Sequence, residues 1–127
     1  MRFLGVDYGE KRIGLALSDE EGRLAFPKEI IINDKNVFEK IRDIIKKEIV
    51  GSIVVGESVN ARGEPNPIDE KIKSFISGLE KEFGLPVYSE KEFFTSVEAR
   101  RYMPSPELAD ASAAALILQR YLDKIKK

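Results

Sequence analysis

The sequence predicts an α/β fold: a mixed five-stranded sheet, three antiparallel strands followed by parallel ones, flanked by helices. Three observations lead there. The N-terminal segment alternates apolar and small residues across short turns, and strands joined by short turns pair antiparallel. The later apolar runs are separated by segments of helical spacing, and strands separated by helices run parallel. The chain has 127 residues, 43% of them hydrophobic. That is enough for one core and too little for two ordinary ones, so a single domain over residues 1–127 is expected.

Taken in order, Phe3, Leu4 and Val6 form a first strand that ends at Asp7, and Tyr8-Gly9 starts a turn. Ile13, Leu15 and Leu17 then alternate with small residues on a return strand. Glu20-Glu21-Gly22 makes a second turn, stabilised by Asp19, and Leu24 to Ile32 is the third strand. Asn33-Asp34 stands where a cap is needed for a helix whose Val37, Ile41, Ile44 and Ile45 recur at i, i+4, i+7 and i+8. "GSIVVGE", Gly51 to Glu57, is a continuous apolar run bounded by glycines, as a strand covered on both faces reads.

The Gly-, Asn- and Pro-rich "SVNARGEPNP" reads as a mobile or ligand-facing loop. Asn66 caps the next helix with Pro67 at its first position, and Gly84 stops it. Ile68, Ile72, Phe75, Ile76 and Leu79 form its buried stripe. Pro86 to Glu90 is a last short strand, with Phe93 and Phe94 beyond it as core anchors. Thr95 with Glu98 is the capping box of a short helix, and Ser105-Pro106 opens the final one.

Neither Cys nor His occurs in the chain. Disulfides, thiolate nucleophiles, imidazole bases and zinc–thiolate sites are thereby excluded. Any metal must be held by oxygen, which suits Mg²⁺ or Mn²⁺. The balance of 21 basic against 22 acidic residues is not the footprint of a strong, non-specific nucleic-acid binder. Local basic clusters remain at Lys11-Arg12, Arg100-Arg101 and Lys124, Lys126, Lys127. No apolar run approaches the roughly 18 residues of a membrane span, and the N-terminus enters a strand directly. A cytoplasmic protein is the expectation.

The acids carry the chemistry. An unpaired carboxylate beside apolar packing costs several kcal/mol or gives up its charge, so Asp7 either caps its turn or is kept there for a reaction. On a helix of about 3.6 residues per turn, Ala114, Ile117 and Tyr121 share the face of Asp110, which is therefore the face expected to bury. The competing reading is a charge that merely favours the positive helix end. Glu92 is expected just after the fifth strand, where ligands gather beyond parallel strand ends. A solvated loop charge is its alternative reading, and Glu90 competes for its role. Three such acids could share a divalent pair about 4 Å apart, which clamps the attacking and leaving oxygens of a phosphodiester. The metals would offset the mutual repulsion of the carboxylates.

The blocks "GVDYGEKRIGLALSD", "IVVGE", "EFFTSVEAR" and "DASAAALILQRYL", in that order along nearly the whole chain, resemble those of the YqgF family. These are ribonuclease H-like proteins described as pre-16S rRNA nucleases or Holliday-junction-resolvase homologues. The resemblance implies a ribonuclease H-like fold with Asp7 on the first strand, Glu92 after the last strand and Asp110 on the final helix as the catalytic, metal-holding acids. It also implies Mg²⁺ or Mn²⁺ as cofactor and structured nucleic acid as substrate. The chain departs from the family pattern around Glu92. Lys91-Glu92-Phe93-Phe94-Thr95-Ser96 stands where Asp-Glu-Arg-Leu-Thr-Thr/Ser is common.

Lys11 and Arg12 in the hairpin turn, and Arg62 in the "SVNARGEPNP" loop, are candidate phosphate contacts; solvated charges are the plainer reading of each. Thr95 and Ser96 read as helix caps rather than catalytic hydroxyls. The expected function is metal-dependent hydrolysis of structured nucleic acid, in processing of the 5′ end of pre-16S rRNA. The alternatives are a Holliday junction resolvase acting on branched DNA and a non-catalytic nucleic-acid-binding module of the same fold. An actin-like ATPase, which needs a second copy of the Asp-x-Gly hairpin, is weaker because the chain holds one. The partners are structured RNA or branched DNA, without a membrane, for a monomer or homodimer.

Overall fold

Strands β1 (Arg2–Asp7), β2 (Arg12–Ser18), β3 (Ala25–Ile32), β4 (Val50–Ser58) and β5 (Val87–Glu92) form one sheet in the order β3-β2-β1-β4-β5. Strand β2 is antiparallel to β1 and β3, whereas β4 is parallel to β1 and β5. The mixed five-stranded sheet expected from the sequence is the one observed. Helices α1 (Val37–Glu48), α2 (Asp69–Phe83) and α3 (Pro106–Ile125) cover it. This computed structural model describes residues 1–58, 69–92 and 106–125; at positions 57, 58, 69, 91, 92 and 106–112 the description is of the backbone.

Strand alternation sorts the apolar residues onto two faces. Leu4, Val6, Ile13, Leu15, Ile53 and Val55 pack on one face with Val37, Ile41 and Ile44 of α1 and Ile72, Phe75 and Leu79 of α2. Ala16 and Val54 pack on the other with Ala114, Ile117, Leu118 and Leu122 of α3. The consecutive residues Ile53, Val54 and Val55 are all fully buried, which is why β4 reads as an unbroken apolar run. Each large aliphatic side chain buried in this way contributes about 1.5–3 kcal/mol.

One close approach fixes where α3 lies. A Cβ added at Gly5 would stand 2.8 Å from Leu118 Cβ and 3.0 Å from the Ala114 carbonyl oxygen. Only a residue without a side chain leaves α3 that near to β1.

Several element ends differ from expectation for identifiable reasons. Strand β5 continues past Glu90 because β4 continues past Glu57, and the ladder runs on to the pair Ser58↔Glu92. Glu92 is thus the last residue of the strand and not part of the loop after it. Strand β3 begins at Ala25, since the Leu24 carbonyl accepts the Asp19 N–H at 3.0 Å and belongs to the turn. The N-cap of α1 is Asn36, with no side-chain cap bond. Asp34 instead accepts the Asn36 N–H at 2.9 Å, and Asn33 is used elsewhere. Gly84 ends α2 with φ +64, and Ile76 of the expected stripe is partly buried. Asn66, Pro67, Ile68, Phe93, Phe94, Thr95, Ser96, Glu98, Arg100, Arg101 and Ser105 lie outside the described residues.

Candidate functional site

Asp7 is the final residue of β1 and is half-buried. The hairpin turn that follows it is tied down from β3 and α2. Asn33 Nδ2 donates to the Gly9 carbonyl at 2.8 Å, and the Asn33 N–H donates to the Lys11 carbonyl at 2.9 Å. Lys71 of α2 pairs with Glu10 across 3.4 Å. The sequence reading missed this use of Asn33. An Asn ahead of a helix looks like a cap, and only the β2–β3 register, Arg12↔Ile32, brings it to the first turn.

Two alternations identify the face to which positions 7 and 92 belong. On β1, Phe3 meets Tyr121 of α3 with ring centroids 6.1 Å apart, and Gly5 meets Ala114 and Leu118, so position 7 continues the α3-facing series. On β5, Tyr88 stacks on Tyr121 at 5.3 Å and Glu90 is held by Lys124, so position 92 continues the same series. Strands β1 and β5 both run parallel to β4 and end toward one edge of the sheet, about 10 Å apart across two strand spacings, with β5 running two residues beyond the row of Asp7.

Helix α3 passes Gly5 with Ala114 and Leu118 and passes Phe3 with Tyr121, so it runs antiparallel to β1. From Gly5 to Asp7 the strand advances about 7 Å. From Ala114 back to Asp110 the helix retreats about 6 Å. The backbone position of Asp110 is therefore level with that of Asp7, one turn beyond the buried Ala114. Positions 7, 92 and 110 share one edge and one face.

Glu90 is 6% exposed, and Lys124 Nζ, at the C-terminal end of α3, lies 2.7 Å from both its carboxylate oxygens, although the pairs Val6↔Val55 and Gly56↔Glu90 put Glu90 level with Asp7 two strands across. Its carboxylate is engaged by this ion pair. Lys11 and Arg12 are exposed on the hairpin next to Asp7. Arg62 lies outside the described residues. The residue types at positions 7, 92 and 110 fit a hard divalent cation, all being carboxylates in a chain without His or Cys. Among the described side chains no group of three potential metal ligands is gathered, and those at positions 92 and 110 are not among them.

A family model described as "RuvX: Holliday junction resolvase" matches residues 1–124. A protein of Thermoanaerobacter pseudethanolicus named "Putative pre-16S rRNA nuclease" is 37% identical over 137 residues, covering 99% of this chain and 99% of that protein. One of the same name from Sulfurihydrogenibium sp. is 37% identical over 132 residues, covering 98% of this chain and 91% of that protein. Among solved structures, Thermus thermophilus RuvC bound to a Holliday junction aligns with TM-score 0.61 at 16% identity, over 99% of this chain and 96% of that one. The fowlpox virus resolvase with its junction DNA aligns with TM-score 0.63 at 16% identity, over the whole of both chains. At that identity the likeness shows the fold, which is ribonuclease H-like.

Proposed function

The chain belongs to the RuvX family, described as Holliday junction resolvase, and on that premise we propose that it is a metal-dependent nuclease of structured nucleic acid. The proposed reaction is hydrolysis of phosphodiester bonds in the cytoplasm, in processing of the 5′ end of pre-16S rRNA. Asp7, Glu92 and Asp110 would hold Mg²⁺ or Mn²⁺. Bound there, a divalent pair supplies charge neutralisation at the phosphate and a water of lowered pKa. The protein's own contribution is to hold the acids in place on the sheet edge. Lys11 and Arg12, with Arg62, contact flanking phosphates and set the strand's register without reading its sequence.

The observation that supports this most is the close packing of Gly5 against Ala114 and Leu118, which brings the Asp110 position level with Asp7. The substrate follows the name of the relatives from Thermoanaerobacter and Sulfurihydrogenibium. Cleavage of branched DNA is the second reading, favoured by the family description. The test incubates purified protein and Mn²⁺ with precursor rRNA and with branched DNA. Cleavage is expected to fall more than about a hundredfold in Asp7→Asn and Asp110→Asn, beyond the loss typical of an outer-shell partner, with binding retained. Wild-type protein that binds either substrate and never cuts it would be a binding module instead.

A further inference from the structure

Tyr8 follows Asp7 directly and turns to the opposite face of the sheet, where it stands 4.9 Å from the Phe75 ring of α2. Phe75 in turn stacks with Phe38 of α1 at 5.7 Å. Beside these rings opens a cleft of about 460 Å³ whose walls also carry Asn33, Lys71 and Ser74, within the roughly 300–1,000 Å³ of small-molecule sites. The cleft lies at the sheet edge where β1 and β3 end and α1 begins. Phe75 is buried, whereas Tyr8 and Phe38 are half-buried and keep part of their rings accessible.

Resting on the nuclease reading, we propose that this cleft receives one nucleobase of the substrate strand whose phosphate is cut at Asp7. A base needs a flat apolar surface and, at its rim, donors and acceptors. Tyr8 and Phe38 supply the surface. The Ser74 hydroxyl and the Asn33 side-chain oxygen supply polar groups, with one of the two Asn33 amide hydrogens donated to the Gly9 carbonyl. Lys71, paired with Glu10 across 3.4 Å, ties α2 to the hairpin beside the cleft. The ring of Tyr8 belongs to the residue next to the acid, so a strand engaged at Asp7 has a neighbouring base within reach. The base flips out of its stack to enter, which favours branched or single-stranded substrates, whose bases are cheapest to expose.

The test walks single abasic positions through branched DNA and through precursor rRNA, measuring binding to the uncut Asp7→Asn protein and cleavage by the wild type. One abasic position near the cut is expected to weaken binding about tenfold, in the range of base–aromatic stacking. The same position is expected to cost nothing in Ser74→Leu, which fills the cleft from an exposed helix site, or in Tyr8→Leu. An unchanged abasic penalty in both variants overturns the cleft, as does no penalty at any position in an intact substrate that is bound and cut; the nuclease reading then stands. A Ser74→Leu protein altered only in solution mass assigns the cleft to a second copy and also overturns it. Intact substrates neither bound nor cut overturn the nuclease reading itself.

Discussion

Asp19 is the carboxylate just past the end of β2, and the backbone around it sets its behaviour. Asp19 accepts the Arg23 N–H at 2.8 Å and the Leu24 N–H at 3.3 Å. Chiefly the Arg23 bond holds its carboxyl below the ordinary carboxylate range. Because the folded-state value is the lower one, the resulting stability is fully present above the unfolded value of about 3.9. It is lost as pH falls through the lowered folded value. Denaturant titrations of wild type and Asp19→Asn are expected to show a wild-type advantage at neutral pH that closes on acidification; a gap independent of pH contradicts this account. Tyr121 shifts the other way, raised by burial first and then by Tyr88 and Glu90. Its contribution is present below about pH 10 and is lost as pH rises through the raised folded value.

Among the elements, α1 and α3 each hold one backbone constraint that can be tested. Helix α1 ends at Ile49 with φ 54, a left-handed conformation that costs a side-chain-bearing residue roughly 1–2 kcal/mol. Ile49 is 67% exposed, so little packing is lost on truncation. Ile49→Gly is expected to stabilise the fold by about 1 kcal/mol after the greater unfolded-state freedom of glycine is counted, read as a higher denaturation midpoint. Gly5→Ala acts in the opposite direction. Its methyl meets Leu118 Cβ and the Ala114 carbonyl, and overpacking of this kind costs about 1–3 kcal/mol. Because the displaced element carries Asp110, cleavage is expected to fall even at temperatures where the variant remains folded. A variant that loses stability and keeps full activity separates the Gly5 contact from the site.

At the scale of the whole molecule, apolar packing on both faces of the sheet holds the fold, and the acids occupy its edge. Chelation of divalent ions is therefore expected to end cleavage and leave the circular dichroism spectrum unchanged. Adding Mn²⁺ is expected to raise the melting temperature of the wild type, by the equivalent of about 2.7 kcal/mol at a hundred times its dissociation constant. The shift should vanish in Asp7→Asn. No helix among the described residues is long and apolar enough to cross a membrane.

Much of this architecture was legible in the chain because it depends on local periodicity. Alternation marked β1 and β2, the i, i+4, i+7 spacing marked α1, and Gly84 marked the end of α2. The inward face of α3 followed from placing Ala114, Ile117 and Tyr121 around a helix. The absence of His and Cys confined the metal chemistry to oxygen before any fold was known. Element ends were less legible, because they depend on partners distant in sequence. Strand β5 reaches Glu92 only because Ser58 is there to pair with it. Asn33 serves the first turn only because the β2–β3 register carries it there. The depth of α3 against β1, and with it the level of Asp110 relative to Asp7, was decided by a contact between Gly5 and residues more than a hundred positions away. Local spacing determines which face of an element is apolar; only the packed sheet decides which faces meet, and at what height.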